Sequence, residues 1–123
     1  MWSIEFDPGS RVLTLRLVSQ VTALQMRGLA RAHGEALAAT GGEPFKILAD
    51  LRGLAPLDTE AAVLFNDVRR AAKAMVGFRV RAVLTDSATV AMQQRRAMIE
   101  EGSSSKVELI TMDESEARGF LSP

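Results

Sequence analysis

The 123-residue chain contains no cysteine, so it builds no disulfide, no thiolate metal site and no cysteine nucleophile. It contains no tyrosine either, and aromatic residues make up only 5%, which leaves little for stacking on nucleic-acid bases. Histidine occurs once, at His33. One imidazole supplies neither the three or four ligands of a typical metal site nor, without a partnered nucleophile and carboxylate, a catalytic triad. No cofactor and no metal are therefore expected, and an enzyme is not.

Neither sign of charge is in excess. Fifteen basic residues balance fifteen acidic ones, whereas nucleic-acid-binding domains carry a basic excess that neutralises phosphate. No segment reaches the roughly 20 apolar residues that span a bilayer, so stable membrane insertion is not expected. The start, Met1-Trp2-Ser3-Ile4-Glu5-Phe6, has neither the basic residues nor the apolar run of a secretory signal. The expectation is a cytoplasmic protein that binds no nucleic acid.

Hydrophobic residues, at 47%, are plentiful enough for a core, and 123 residues is the usual size of one domain. Trp2, Ile4 and Phe6 alternate with polar residues, as do Leu13, Leu15 and Leu17. The turn-forming Asp7-Pro8-Gly9-Ser10 lies between them, which predicts a hairpin. Thr22 and Gln25 form a capping box for a helix whose inner stripe is Met26, Leu29, Ala30, His33 and Leu37. Such a stripe makes His33 a packed side chain rather than a ligand.

Strand and helix then alternate. Phe45–Ala49 is β-prone, and Asp58 or Thr59 caps a helix with the stripe Ala61, Leu64, Phe65, Val68, Ala72 and Met75. Phe78–Leu84 is the fourth strand, Ser87 caps a third helix ending at Gly102, Val107–Thr111 is the fifth strand, and Asp113 opens a final short helix. The order β-β-α-β-α-β-α-β-α predicts one α/β domain over 1–123, a five-stranded mixed sheet with right-handed crossovers. Glu5, Arg16, Lys46, Arg79, Arg81 and Glu108 punctuate the strands, so the helices are expected mainly on one face, with these charges on the other.

No glycine-rich phosphate loop follows any strand. Functional loops of parallel sheets gather at the carboxyl ends of the strands. The segment Ala49-Asp50-Leu51-Arg52-Gly53-Leu54-Ala55-Pro56-Leu57-Asp58-Thr59-Glu60 runs from such an end into a helix N-terminus. Its Asp and Thr serve as a helix cap, and the same helix start suits an anion or a phosphorylated hydroxyl.

The element order together with this loop resembles the STAS domain of bacterial anti-sigma-factor antagonists, the SpoIIAA-like fold. The resemblance spans nearly the whole chain in architecture and a few residues in motif: Asp50-Leu51 at the strand end, a short apolar loop, then Asp58. It implies that Thr59 stands at the phosphoacceptor position. Glu60 and Ala61 replace the usual serine and glycine that follow, and Ser19 stands where a glycine is usual. The implied function is a regulatory protein-interaction module, with Ser19, Asp50, Asp58, Thr59 and Ser87 as binding-loop candidates. The alternative is a carrier of a small apolar ligand or lipid, as in CRAL-TRIO domains, with Phe65, Met75 and Met92 as candidate linings. The third helix keeps Met92, Met98 and Ile99 beside Gln93-Gln94-Arg95-Arg96, and either this mixed surface or the open face of the sheet is open to a homodimer contact.

Overall fold

A computed structural model describes all 123 residues. The strands are β1 (Trp2–Asp7), β2 (Val12–Leu17), β3 (Phe45–Asp50), β4 (Phe78–Leu84) and β5 (Glu108–Thr111). The helices are α1 (Ala23–Ala39), α2 (Thr59–Lys73), α3 (Ala88–Glu100) and α4 (Glu114–Leu121). The strands lie in the order β1-β2-β3-β4-β5. Only the β1–β2 hairpin is antiparallel; every later neighbour is joined through a helix and pairs in parallel. No helix is long and apolar enough to cross a membrane.

The predicted caps are in place. Thr22 and Gln25 exchange the two hydrogen bonds of a capping box, and Asp58, Ser87 and Asp113 each accept backbone N–H groups at the start of α2, α3 and α4. The stripes of α1, α2 and α3 pack on one face of the sheet. They enclose a core around Leu13, Leu15, Met26, Ile47, Phe65 and Val83. Trp2 packs against this core, and an added Cβ on Gly28 of α1 would sit 3.3 Å from its ring. Gly77, between α2 and β4, is required by close approach: a Cβ there would lie 2.1 Å from the Glu43 carbonyl oxygen.

Three helices thus share one face, and α4 takes the other. Its Ala117 and Leu121 close a second, smaller core with Leu48, Ala82 and Leu84. Lys46 Nζ donates to the Leu121 carbonyl at 2.6 Å and pins the end of α4. The hairpin side of this face stays uncovered, a trough of about 660 Å³ lined by Glu5, Val12, Thr14 and Lys46.

One expectation is overturned. Arg81 and Glu108 do not join Glu5, Arg16 and Lys46 on the second face; they are 0% and 1% exposed beneath the helices. Strand alternation is the reason: Arg81 is in phase with Val83, and Glu108 with Ile110, both residues of the larger core. Arg69, on the inner stripe of α2, is also fully buried and reaches both Glu108 oxygens through Nη2, at 2.8 and 2.7 Å. Lys73, one turn on, donates to Glu108 (2.7 Å), Glu101 (3.0 Å) and the Ser103 hydroxyl (2.8 Å). Burial alone would raise the Glu108 pKa, but the Lys73 hydrogen bond and the charges of Arg69 and Arg81 hold it below the ordinary value. His33, buried on α1, is lowered to about 4 by burial and by the charge of Arg81.

Candidate functional site at the carboxyl edge of the sheet

The loops that follow β2, β3 and β4 are laced to one another. Ser19 adopts a left-handed backbone, φ +63°, uncommon for a residue with a side chain. In that conformation its N–H donates to the Gly53 carbonyl and its carbonyl accepts from Ala55 N–H, both at 2.8 Å, which extends the parallel pairing beyond the strands. Gly53, itself at φ +79°, donates its N–H to Asp86 Oδ1 at 3.0 Å. Leu51, Leu54 and Leu57 are buried, so the apolar loop is held from beneath. The Gln93 side-chain amide of α3 accepts from Leu57 N–H (3.2 Å) and donates to the Leu57 carbonyl (3.0 Å), as a neighbouring strand would.

This scaffold presents the start of α2. Asp58 is the N-cap, with Oδ1 accepting from Ala61 N–H at 2.8 Å. Glu60 sits in the first turn and pairs with Arg27 of α1 at 2.7 Å. Thr59 is therefore the first helical residue, not the cap. Its side chain is exposed and lines a groove of about 260 Å³ between α2 and α3, with Leu57, Val63, Asn66, Gln93 and Arg96. Asp58 lines a separate pocket of about 150 Å³ with Gln20, Thr22 and Pro56. Large apolar side chains stand in solvent here: Val63, in the groove, is 54% exposed, and Met92 and Ile99, in an adjoining cleft on α3, are 64% and 77% exposed.

The other candidates serve the frame. Asp50 points to the α4 side of the sheet, where Arg16 Nη1 (2.7 Å), Arg52 Nη2 (2.8 Å) and Arg52 Nε (3.0 Å) converge on its carboxylate. Burial alone would raise its pKa, but hydrogen bonds from Arg52 and the charges of Arg52 and Arg16 outweigh it and hold the group below the ordinary value. Arg52 also reaches Glu114 at 2.8 Å, so this one guanidinium joins the loop to α4. Ser87 caps α3 by accepting from Val90 N–H at 3.2 Å. The α2–α3 groove brings together Thr59 and Leu57 but neither Asp50 nor Ser87.

Sequence reasoning put Gln93 only on a mixed outer surface of the third helix and passed over Asp86; both side chains substitute for missing backbone partners and leave no periodic trace. It also passed over Arg69, for which a signal existed. Arg69 lies four residues after Phe65 and eight after Ala61, in phase with the buried stripe.

No protein-family model and no curated protein matches the sequence. Among solved structures, an anti-sigma factor antagonist from Mycobacterium paratuberculosis superposes with a TM-score of 0.67 at 10% identity, over 98% of this chain and 92% of that one. An uncharacterised protein of the DUF3478 family from Shewanella loihica, with a SpoIIAA-like fold, gives 0.67 at 19% identity, over 99% and 93%. The anti-sigma factor antagonist SpoIIAA in its unphosphorylated form gives 0.65 at 15% identity, over 97% and 96%. Matched over 97–99% of its length, the chain has the SpoIIAA-like fold, the architecture it shares with two anti-sigma factor antagonists.

Proposed function

We propose that the chain is a non-catalytic regulatory module that binds a protein partner through its strand-end loops and the outer faces of α2 and α3. The observation that carries this reading is the exposure of Val63 in the α2–α3 groove and of Met92 and Ile99 in the cleft on α3 that shares Gln93, Arg96 and Glu100 with it. Large apolar side chains grouped beside arginines are the composition of interface cores, whereas scattered single ones need no explanation. Arg95 and Arg96 are both exposed on α3 between Met92 and Ile99. The likeness in fold to two anti-sigma factor antagonists fits a partner that is itself a regulatory protein.

Thr59 stands at the rim of this surface, at the start of α2. A phosphate on its hydroxyl would add nearly two negative charges there and oppose docking of an acidic or apolar partner face. Catalysis is disfavoured because the one histidine is buried beside Arg81. The carrier reading gains no support from its expected linings: Phe65 is packed in the core and Met92 stands in solvent.

The test begins with affinity capture from the source cells, followed by binding of the identified, purified partner to variants. Val63→Glu and Met92→Glu should each weaken binding at least tenfold. Thr14→Glu, in the trough on the opposite face, should leave it unchanged. Loss of binding only in the trough variant would sink the proposal.

A further inference from the structure

The buried ionic cluster holds more donors than the protein satisfies. Arg69 and Arg81 are both 0% exposed and both approach the same Glu108 oxygen, Oε2, at 2.7 and 3.5 Å, so the two guanidiniums are neighbours. Five of their nitrogens have no hydrogen-bond acceptor: Nε and Nη1 of Arg69, and Nε, Nη1 and Nη2 of Arg81. Those nitrogens carry eight hydrogens. The buried side-chain acceptors without partners are His33 Nε2, Gln94 Oε1 and Glu101 Oε2, too few to serve them. The Phe65 ring covers one face of Arg81 at 5.6 Å, which leaves its in-plane N–H edge unanswered.

Charge is out of balance in the same place. Arg69, Lys73 and Arg81 face only Glu101 and Glu108. An uncompensated charge in a protein interior is strongly unfavourable, and a guanidinium does not relieve it by losing its proton near neutral pH. Water supplies acceptor lone pairs but no charge. A monatomic anion supplies a negative charge, accepts N–H groups from any direction and donates nothing.

We propose that a small monovalent anion of the halide class binds inside the domain against the guanidinium edges of Arg69 and Arg81. It completes the cluster that joins α2 to β4 and β5. The way in is from the side of Lys73 and Glu101, which line a surface cleft with Arg70, Ser103 and Ser104. This site lies apart from the α2–α3 groove and does not depend on the partner reading.

The probe is bromide. Crystals of the whole chain grown in bromide are expected to show an anomalous peak within hydrogen-bond distance of Arg69 and Arg81. In solution, the thermal midpoint at fixed ionic strength should rise by several degrees as bromide replaces gluconate, in ever smaller increments, because a ligand that binds only the folded state stabilises it as the logarithm of one plus its concentration over Kd. Arg81→Met should abolish that rise while Arg95→Met, on the surface, keeps it. If Arg81→Met does not fold, the anomalous map of the unaltered chain decides alone. A map with no bromide at the two guanidiniums, or midpoints that coincide in bromide and gluconate, overturns the proposal.

Discussion

Arg81 and Glu108 stand opposite each other in the parallel register of β4 and β5, and both side chains are closed off from water beneath α2. The pair has a third member in Arg69, which arrives from the helix and holds both Glu108 oxygens. An edge strand of four residues is thereby locked to the sheet by charge as well as by backbone hydrogen bonds.

Removing one partner of such a group should cost far more than removing the group. Glu108→Ala leaves two buried guanidiniums without their shared carboxylate, and about 3–5 kcal/mol of stability should be lost. The triple replacement Arg69→Met, Arg81→Leu, Glu108→Leu should recover most of that loss, since the site then packs as an apolar core. Urea unfolding of both proteins checks the contrast. Equal loss in the two would refute it.

The start of α2 separates capping from signalling. Asp58→Ala removes the side chain that accepts from Ala61 N–H and should cost about 0.5–2 kcal/mol. Thr59→Ala touches no protein hydrogen bond and should change stability by no more than about 0.5 kcal/mol. Thr59→Glu should fold normally, because negative charge at a helix N-terminus is favourable, while binding of the purified partner falls. Chemical denaturation and titration calorimetry on the same three variants give both readings. Intact binding by Thr59→Glu together with a phosphorylated Thr59 that also binds would remove Thr59 from the switch role.

Backbone geometry predicts opposite signs at two small residues. Ser19→Gly relieves a left-handed residue and should stabilise the fold by about 0.5–1 kcal/mol. Gly77→Ala should destabilise it by more than about 3 kcal/mol, since its Cβ would meet backbone rather than a movable side chain. Thermal melts of the two variants should move in opposite directions from the parent.

Acid should weaken the fold in two stages. The pKa of His33 is lowered to about 4, below its ordinary 6.5, so the unfolded chain binds the proton first. Stability is then fully present above about pH 6.5 and falls as pH drops towards about 4, by up to about 3 kcal/mol. Below that, protonation of Asp50 and Glu108, both held below ordinary carboxylate values, removes their ion pairs. Unfolding free energies of His33→Gln between pH 7 and 4 should lack the first stage. A slope unchanged by that substitution would assign it to other groups.

The element order, the caps of α1, α3 and α4, the cap of α2 to within Asp58 or Thr59, and the inner faces of α1 and α2 were legible because each rests on neighbours in sequence. A capping box needs residues three apart, and a helical stripe needs only its own period. The placement of Arg81 and Glu108 was not legible. α4 covers the second face of β4, so Val80, Ala82 and Leu84 are apolar on one side while Val83 is apolar on the other. With apolar residues at both parities, no alternation remained to say which way Arg81 points. At the candidate site, the helix start at Asp58-Thr59 followed from local pattern, whereas the prominence of Thr59 came from the family resemblance. The Gln93 clamp on Leu57 spans 36 residues and follows from tertiary packing alone.

The contact between Trp2 and Gly28 gives the molecule a built-in optical gauge. Trp2 is the only indole, there is no tyrosine, and the ring lies in the seam between the first strand and the first helix. Emission excited at long wavelength therefore arises from that seam alone. If the first helix lifts from the hairpin before the rest of the sheet opens, the fluorescence will shift ahead of the helical circular dichroism. Two curves that superpose would instead mean that the seam parts only when the whole domain does.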